Sequence, residues 1–255
     1  KVVSDPHWID TINLYRSGSL ASKPILSSDA LSLIDSISPD EELRKILEYR
    51  TQELIEYQNL SYAKEYINFV GNILEKEQKT RSSSELSQNV AKYLFKLMAT
   101  KDEYEVARLS LKTELDSAIS KEFGKSAKIN YMLHPPFLKA MENIPILNML
   151  PGVKSKLALG SWFKIFYVML KNMKFLRGTI FDFMAWFSND VRKADKKALD
   201  HYKHVIMNNI DEIGNGKYQD LKDFSVLPDI IRGYEEVRLE TMTEFYQKSD
   251  NLFKS

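Results

Sequence analysis

The chain of 255 residues carries 36 lysines and arginines against 35 aspartates and glutamates, a net charge of +1, so no overall positive field favours nucleic acid as a partner. It has no cysteine, which excludes disulfides, thiol nucleophiles, thiolate zinc sites and cysteine-ligated iron–sulfur clusters on this chain. A hydrophobic fraction of 44% can supply a sizeable core, but the central apolar run Ile165–Leu170 is too short to span a membrane.

The first part of the chain predicts a lead-in segment followed by a helical hairpin. Residues 1–38 mix small polar residues with scattered Leu and Ile, and residues 39–255 are expected to form a single helical domain. The string SPDE at 38–41 predicts a helix start with Ser38 as N-cap, and this helix is expected to run to about Lys79. A similar string, SSSE at 82–85, begins a second helix that Gly124 would end. The two helices predict a long antiparallel hairpin over 39–124.

The rest of the chain predicts a wrapping segment and a further group of helices. Residues 125–160 contain six prolines and glycines that would interrupt a long regular element: Pro135, Pro136, Pro145, Pro151, Gly152 and Gly160. Helical patterning returns over 161–255, with helices expected near 161–175, 188–213 and 228–253. No segment shows a sustained alternation of apolar and polar residues, so the fold class is predicted to be all-α.

Motifs of catalysis and metal binding are weak. His201 and His204 are one helical turn apart and could share a metal ion, but no third ligand is apparent, so a metal site is not favoured. His134 lies between apolar residues and prolines and is better explained as a hydrogen-bonded structural histidine. The GNG at 214–216 lacks the Lys-Ser/Thr of a phosphate-binding loop. We therefore predict no catalytic residue, no metal site and no cofactor on this chain.

A set of charges on an inward helix face is the strongest candidate site. If LFKLMATKDEYEVARL at 94–109 is one helix, Lys101, Glu105 and Arg108 project from the apolar stripe of Val90, Leu94, Leu97 and Met98. Buried charges are costly unless they are paired. Two Arg-Gly strings, LRGT at 176–179 and IRGY at 231–234, would supply further guanidinium groups, with Asp102, Asp182 or Glu236 as a further acid. The predicted polar network is Lys101, Glu105, Arg108, Arg177, Asp182 and Arg232.

Two interpretations of this network stay open. Spacing favours a structural network, whereas a surplus of positive charge would instead receive an anion or an acidic patch of a partner. A separate feature is the basic amphipathic stretch at 162–176, which could lie on a membrane surface. A core helix with a narrow wet edge is favoured there, since the stretch carries only three lysines.

Four strings together resemble a known family. YLFKLMATKDEYEVARL, YMLHPPFL, FLRGTIFDF and LPDIIRGYEEVR occur in the order and approximate spacing of the C-terminal helical region of fused indolepyruvate ferredoxin oxidoreductases. The similarity covers roughly residues 40–250, and KDEYEVARL at 101–109 is its most specific part. The resemblance implies a parent enzyme that oxidatively decarboxylates 2-oxo acids with thiamine diphosphate, iron–sulfur clusters and coenzyme A, and that passes electrons to ferredoxin.

None of that machinery matches residues of this chain, so the resemblance implies a cytoplasmic accessory domain. Its partners would be the thiamine diphosphate and gamma-type domains of the same enzyme and, indirectly, ferredoxin; self-association of copies is left open. The chain also departs from the family, because FDFMAWF follows FLRGT where relatives continue with D-P-F-G, and Glu235 and Glu236 replace a glycine and a histidine. These changes put a small-molecule role in doubt. The alternative is a free-standing helical module that binds a protein or an anionic metabolite.

Overall fold

The computed structural model describes residues 26–111, 121–122, 124, 131–133, 157–159, 164–233 and 235–253. Two three-residue strands, β1 (Tyr131–Leu133) and β2 (Leu157–Leu159), pair antiparallel with Tyr131 opposite Leu159, and all other regular elements in these ranges are helical. The predicted all-α class is confirmed. The α-helices are α1 (Ser28–Ser36), α2 (Glu41–Tyr57), α3 (Leu60–Thr80), α4 (Glu85–Met98), α5 (Glu103–Ser110), α6 (Lys164–Asn172), α7 (Phe183–Asn209), α8 (Tyr218–Val226) and α9 (Glu235–Leu252). Short 3₁₀ helices follow three of them, at Met173–Leu176, Ile210–Asn215 and Leu227–Ile230.

The first predicted helix is divided into two. It begins at Glu41, because Asp40 rather than Ser38 is the N-cap and its carboxylate accepts a hydrogen bond of 2.8 Å from the amide of Leu43. It ends at Tyr57, and Asn59 caps a new helix by accepting a bond of 2.9 Å from the amide of Tyr62. The prediction of one continuous helix to Lys79 was therefore wrong, because the capping potential of this asparagine was overlooked.

The second predicted helix is also interrupted. It runs as α4 to Met98, and a new helix, α5, begins at Glu103 with Asp102 as its N-cap. The apolar stripe of Val90, Leu94, Leu97 and Met98 is buried as predicted. The predicted continuation over 112–120, His134 and most of the wrapping segment at 125–160 lie outside the described residues.

The chain divides into two compact units built from segments that are distant in sequence. The first contains the described residues up to Lys96 together with His204–Pro228, and the second contains Leu97–Lys203 and Asp229–Ser255. This division differs from the predicted grouping at 39–124, 125–160 and 161–255, which followed the order of the chain. Within the part of the chain that the structure describes, no helix is both long enough and apolar enough to cross a bilayer.

A buried glutamate joins three elements of the first unit. The carboxylate of Glu77 on α3 accepts hydrogen bonds from the amides of Leu86 and Ser87, each 2.9 Å, from the Ser87 hydroxyl at 2.6 Å and from the Tyr218 hydroxyl at 2.8 Å. These amides form the N-terminus of α4, where a negative charge also interacts favourably with the helix dipole. Glu77 therefore performs the capping role that the sequence assigned to SSSE at 82–85.

The core of the second unit is centred on the contact between α5 and α6. Tyr104 and Ala107 of α5 are buried with Tyr167 and Leu170 of α6, each at most 3% exposed. Leu111, Phe166 and Met173 pack around this cluster. Because Asp102 caps α5 and its first turn carries acidic side chains, this core places a set of charged groups beside apolar neighbours.

Candidate functional site

Four of the six predicted polar residues lie on or beside α5 in the second unit: Glu105, Arg108, Arg177 and Asp182. Asp102 stands at the N-cap in an extended conformation, and its Oδ1 accepts a hydrogen bond of 2.8 Å from the amide of Glu105. Glu103 and Glu105 lie in the first turn, where carboxylates interact favourably with the helix dipole. The start of α5 therefore gathers three carboxylates within four residues.

Glu105 and Arg108 form the most deeply buried ion pair of this group. Their side chains are 5% and 4% exposed, and the guanidinium binds the carboxylate in a two-point contact, Nε to Oε2 at 2.8 Å and Nη2 to Oε1 at 2.7 Å. Paired hydrogen bonds of this kind combine charge with fixed geometry. The structure thus buries both of these predicted residues and pairs them with each other.

Arg177 reaches the cap of α5 from the turn after α6. Its Nη2 donates to Oδ1 of Asp102 at 2.9 Å, and its Nε donates to Oδ2. The next residue, Gly178, has a φ of 75°, a conformation that glycine adopts without steric strain. This turn directs the guanidinium toward α5, where Arg177 becomes the basic partner of Asp102, one of the three acids considered from the sequence.

Asp182 accepts four hydrogen bonds. Its carboxylate, 1% exposed, accepts from the Tyr104 hydroxyl at 2.9 Å, the Gly178 amide at 3.0 Å, the Ala185 amide at 3.3 Å and Nη1 of Arg192 at 2.7 Å. Burial, then the hydrogen bond to Asp182 and the charge of that carboxylate, raise the pKa of Tyr104 above its ordinary value of 10.0. Tyr104 is thus held as a neutral donor at physiological pH.

Arg192 of α7 belongs to the same group but was not predicted. Its Nη1 binds Asp182 and its Nη2 binds Glu103. Burial alone would lower the pKa of Arg192, but the carboxylates of Glu103, Asp102 and Asp182 together raise it. Its guanidinium carbon also lies 5.8 Å from the centre of the Tyr104 ring, within the range of cation–π attraction.

A second ion pair, also unpredicted, lies between α7 and α9. Nε and Nη2 of Arg238 donate to Oδ1 of Asp195 at 2.7 Å and 2.6 Å. Burial is the largest influence on Asp195 and raises its pKa, while the hydrogen bond from Arg238 acts in the opposite direction. This pair fixes α9 to α7 within the second unit. Neither residue could be found from the sequence, because each sits in a helix rich in other charges.

Two predicted site residues lie elsewhere. Lys101 is exposed and precedes α5, so it does not belong to the inward face; the prediction assumed a continuous helix, which Asp102 interrupts. Arg232 is also exposed, and it binds Asp229 locally, with Nη2 2.6 Å from Oδ2. Glu236 is exposed on α9. The structure therefore brings together Glu105, Arg108, Arg177 and Asp182 but not Lys101 or Arg232.

The charge balance of the assembled residues is acidic. We call the following set the ion-pair cluster: Asp102, Glu103, Glu105, Arg108, Arg177, Asp182 and Arg192. Its three guanidinium groups face four carboxylates, a formal charge of 3 − 4 = −1. Among the residues that the structure describes, this cluster therefore has no surplus of positive charge. The arrangement is suited to holding α5, the turn at 177–182 and α7 together.

The histidine pair on α7 is not arranged around a common point. His201 Nε2 is 2.9 Å from the Ser249 hydroxyl, and its ring makes edge contacts with Phe245 and Tyr246. His204 Nε2 instead lies 2.8 Å from Nδ2 of Asn208. Among the residues that the structure describes, no group of three histidines, cysteines or carboxylates could hold a metal ion.

Comparison with known proteins gives one family and no relative of established activity. A family model with the description "Family of unknown function (DUF6537)" matches residues 43–251. This segment includes the whole ion-pair cluster, all of α7, and α9 except its last residue. Neither the curated proteins nor the solved structures contain a match to the chain.

Proposed function

The chain belongs to the DUF6537 family of unknown function, and we propose that it is an accessory domain, non-catalytic by itself, of an indolepyruvate-type 2-oxoacid:ferredoxin oxidoreductase. The proposal rests on two observations taken together: some strings of the sequence resemble the oxidoreductase, and the charged residues of these strings contact one another in the structure. KDEYEVARL and FLRGTIFDF, two strings that resemble the oxidoreductase, supply every charged residue of the ion-pair cluster except Arg192. The third string with charged partners, LPDIIRGYEEVR, supplies Arg238, which binds Asp195.

The chemistry of these residues supports a structural role for the strings that resemble the oxidoreductase. The carboxylates and guanidinium groups of the cluster are bound to one another, with the central pair Glu105 and Arg108 almost fully buried. Groups bound in this way hold their elements in a fixed arrangement, and removal of one partner would leave a buried charge uncompensated. Thiamine diphosphate, iron–sulfur clusters and coenzyme A would be held by other domains of the parent enzyme, and this chain would serve its assembly or its interfaces.

The alternative of a free-standing module differs in what it would bind. The described residues of the cluster supply no surplus of positive charge that would attract an anionic metabolite. A protein partner is compatible with the same geometry and is separated from the first proposal by the experiments below.

The gene that encodes this chain gives a direct test. The proposal predicts that the same reading frame, or an adjacent gene, encodes thiamine diphosphate-binding segments and cysteine motifs for iron–sulfur clusters. A reading frame confined to this chain, with no such sequences in neighbouring genes, would contradict the proposal and favour the free-standing module.

A further inference from the structure

One side of α6 and the turn that follows it expose large apolar side chains. Tyr167 and Leu170 face the core of the second unit and are 3% exposed, whereas Ile165 is 78% exposed on the opposite side. The exposed residues, which we call the apolar face, are Ile165, Val168, Met169, Phe175, Ile180 and Phe181. Sequence analysis favoured a core helix with a narrow wet edge here, but the outward side is apolar. Large apolar side chains that are exposed along one stretch of the chain can mark a binding surface.

The sequence around the apolar face is basic and free of acids. Residues 164–181 contain no aspartate or glutamate and four basic residues: Lys164, Lys171, Lys174 and Arg177. Arg177 is bound to Asp102, so the three lysines are the basic residues that accompany the exposed apolar side chains.

This coincidence identifies the chemistry of the partner. We propose that the apolar face binds the surface of an anionic lipid bilayer, with its side chains entering the boundary between headgroups and acyl chains and the lysines contacting lipid phosphates.

Lipid fits these residues better than a protein surface does. Three of the side chains, Ile165, Ile180 and Phe181, are 69–80% exposed, so they stand out from the surface. Projecting side chains can enter a fluid bilayer without a matched pocket, whereas a protein interface requires shape complementarity. Lysine is depleted at protein interfaces but is favoured beside anionic headgroups. The inference goes beyond the proposed oxidoreductase role and does not depend on it.

Flotation with vesicles tests the proposal directly. The chain is mixed with vesicles of phosphatidylcholine containing about 30 mol% phosphatidylglycerol, or of phosphatidylcholine alone, at about 0.1 M salt, where the Debye length is about 10 Å. The protein should float with the anionic vesicles and much less with the neutral ones. Raising the salt should weaken binding, since the lysine contribution is electrostatic.

Paired substitutions locate the contact. Ile180→Ser/Phe181→Ser should lower the partition coefficient by about tenfold or more, because two large side chains no longer leave water. Lys171→Gln should lower it by roughly fivefold at low salt. The matched control is Val237→Ser/Leu239→Ser, which removes exposed apolar side chains of α9, 55% and 36% exposed, and should leave flotation unchanged. Far-ultraviolet circular dichroism confirms that each variant is folded.

Three results would overturn the proposal. The chain could stay at the bottom of the gradient with anionic vesicles. The α9 control could lose flotation as strongly as Ile180→Ser/Phe181→Ser, which would indicate nonspecific hydrophobic adsorption. In affinity capture from a lysate of the native organism, the Ile180→Ser/Phe181→Ser variant could lose a thiamine diphosphate-containing protein that the wild-type chain captures, while it still floats like the wild-type chain. That result would show the apolar face to be a protein surface.

Discussion

Glu105 and Arg108 bury opposite charges one turn apart on α5, with both side chains at most 5% exposed. Because an unpaired charge at this depth is costly, we predict that Glu105→Ala lowers the free energy of unfolding by about 3–5 kcal/mol. Urea denaturation followed by circular dichroism measures this change.

Two further variants separate the ion pair from other effects at this position. Glu105→Ala/Arg108→Met should recover much of the loss, since no charge is then left without its partner. Lys101→Ala, at an exposed position, should change stability by no more than about 0.5 kcal/mol. Wild-type stability for Glu105→Ala would contradict the burial of this pair.

Asp40 offers a prediction about pH. A hydrogen bond from Ser84 is the main cause that lowers the pKa of this carboxyl below its ordinary value of 3.8; burial opposes it and the amides of Leu43 and Glu42 assist. A lowered folded-state pKa means that the carboxylate stabilises the fold above pH 3.8 and that this contribution disappears as the pH falls through the lower value.

Asp40→Asn keeps an N-cap acceptor but removes the charge. Its melting temperature should therefore lie below that of the wild-type chain at about pH 6, and the two should converge as the pH falls below the lowered pKa of Asp40. Differential scanning calorimetry across this range provides the comparison. A difference that persists unchanged at the lowest pH would show that charge is not the cause.

At the scale of single residues, the sequence predicted those charges whose local pattern was unusual. Glu105 and Arg108 stood out because they interrupt an apolar stripe, and Arg177 because an Arg-Gly pair follows apolar residues. Arg192 and Asp195 gave no such signal, since α7 contains many charged residues in this region and only the packing of the second unit selects these two. Lys101 was misplaced because it lies in the break between α4 and α5, which the prediction of one continuous helix did not include.

Among the elements, Gly71 on α3 shows why a glycine is placed within a helix. A Cβ at this position would lie 2.6 Å from Cγ2 of Ile37, which follows α1, so the glycine allows these two segments of the first unit to approach. Gly71→Ala should destabilise the chain by about 1–2 kcal/mol, because overpacking outweighs the gain in helix propensity. Thermal or urea unfolding measures the change.

A second glycine supplies the matched control for this prediction. At Gly214 an added Cβ would lie 3.6 Å from Cγ2 of Thr80, an ordinary contact, so Gly214→Ala should stay within about 0.5 kcal/mol of the wild-type chain. Adding Ile37→Ala to Gly71→Ala should remove the steric part of the loss. If both glycine variants behave alike, the close approach of Ile37 does not limit stability.

The helical class and the approximate positions of the elements followed from periodicity, but their boundaries did not. Asn59 and Asp102 end one helix and begin the next by capping, and a single polar residue within a strongly helical stretch is easily outweighed by its neighbours in a pattern-based prediction. Conversely, the SSSE string pointed to the correct helix start while the decisive cap, Glu77, comes from a different helix.

For the whole molecule, the sequence indicated one helical domain after residue 38, whereas the structure shows two units whose segments alternate along the chain. Which segments belong to the same unit depends on contacts between residues that are distant in sequence, and helix periodicity does not reveal those contacts. The clustering of basic residues and the lack of acids over 164–181 are visible in the sequence, but only the structure shows that large apolar side chains in this stretch are exposed.

The most direct test of the proposed accessory role is affinity capture with the whole chain as bait in a lysate of its native organism. The eluate is assayed for thiamine diphosphate and for iron–sulfur absorbance, with an unrelated helical domain of similar charge as the control bait. An accessory domain of the oxidoreductase should yield a brown, thiamine-containing eluate that the control lacks. A colourless eluate without thiamine diphosphate would contradict the accessory-domain proposal and favour the free-standing module.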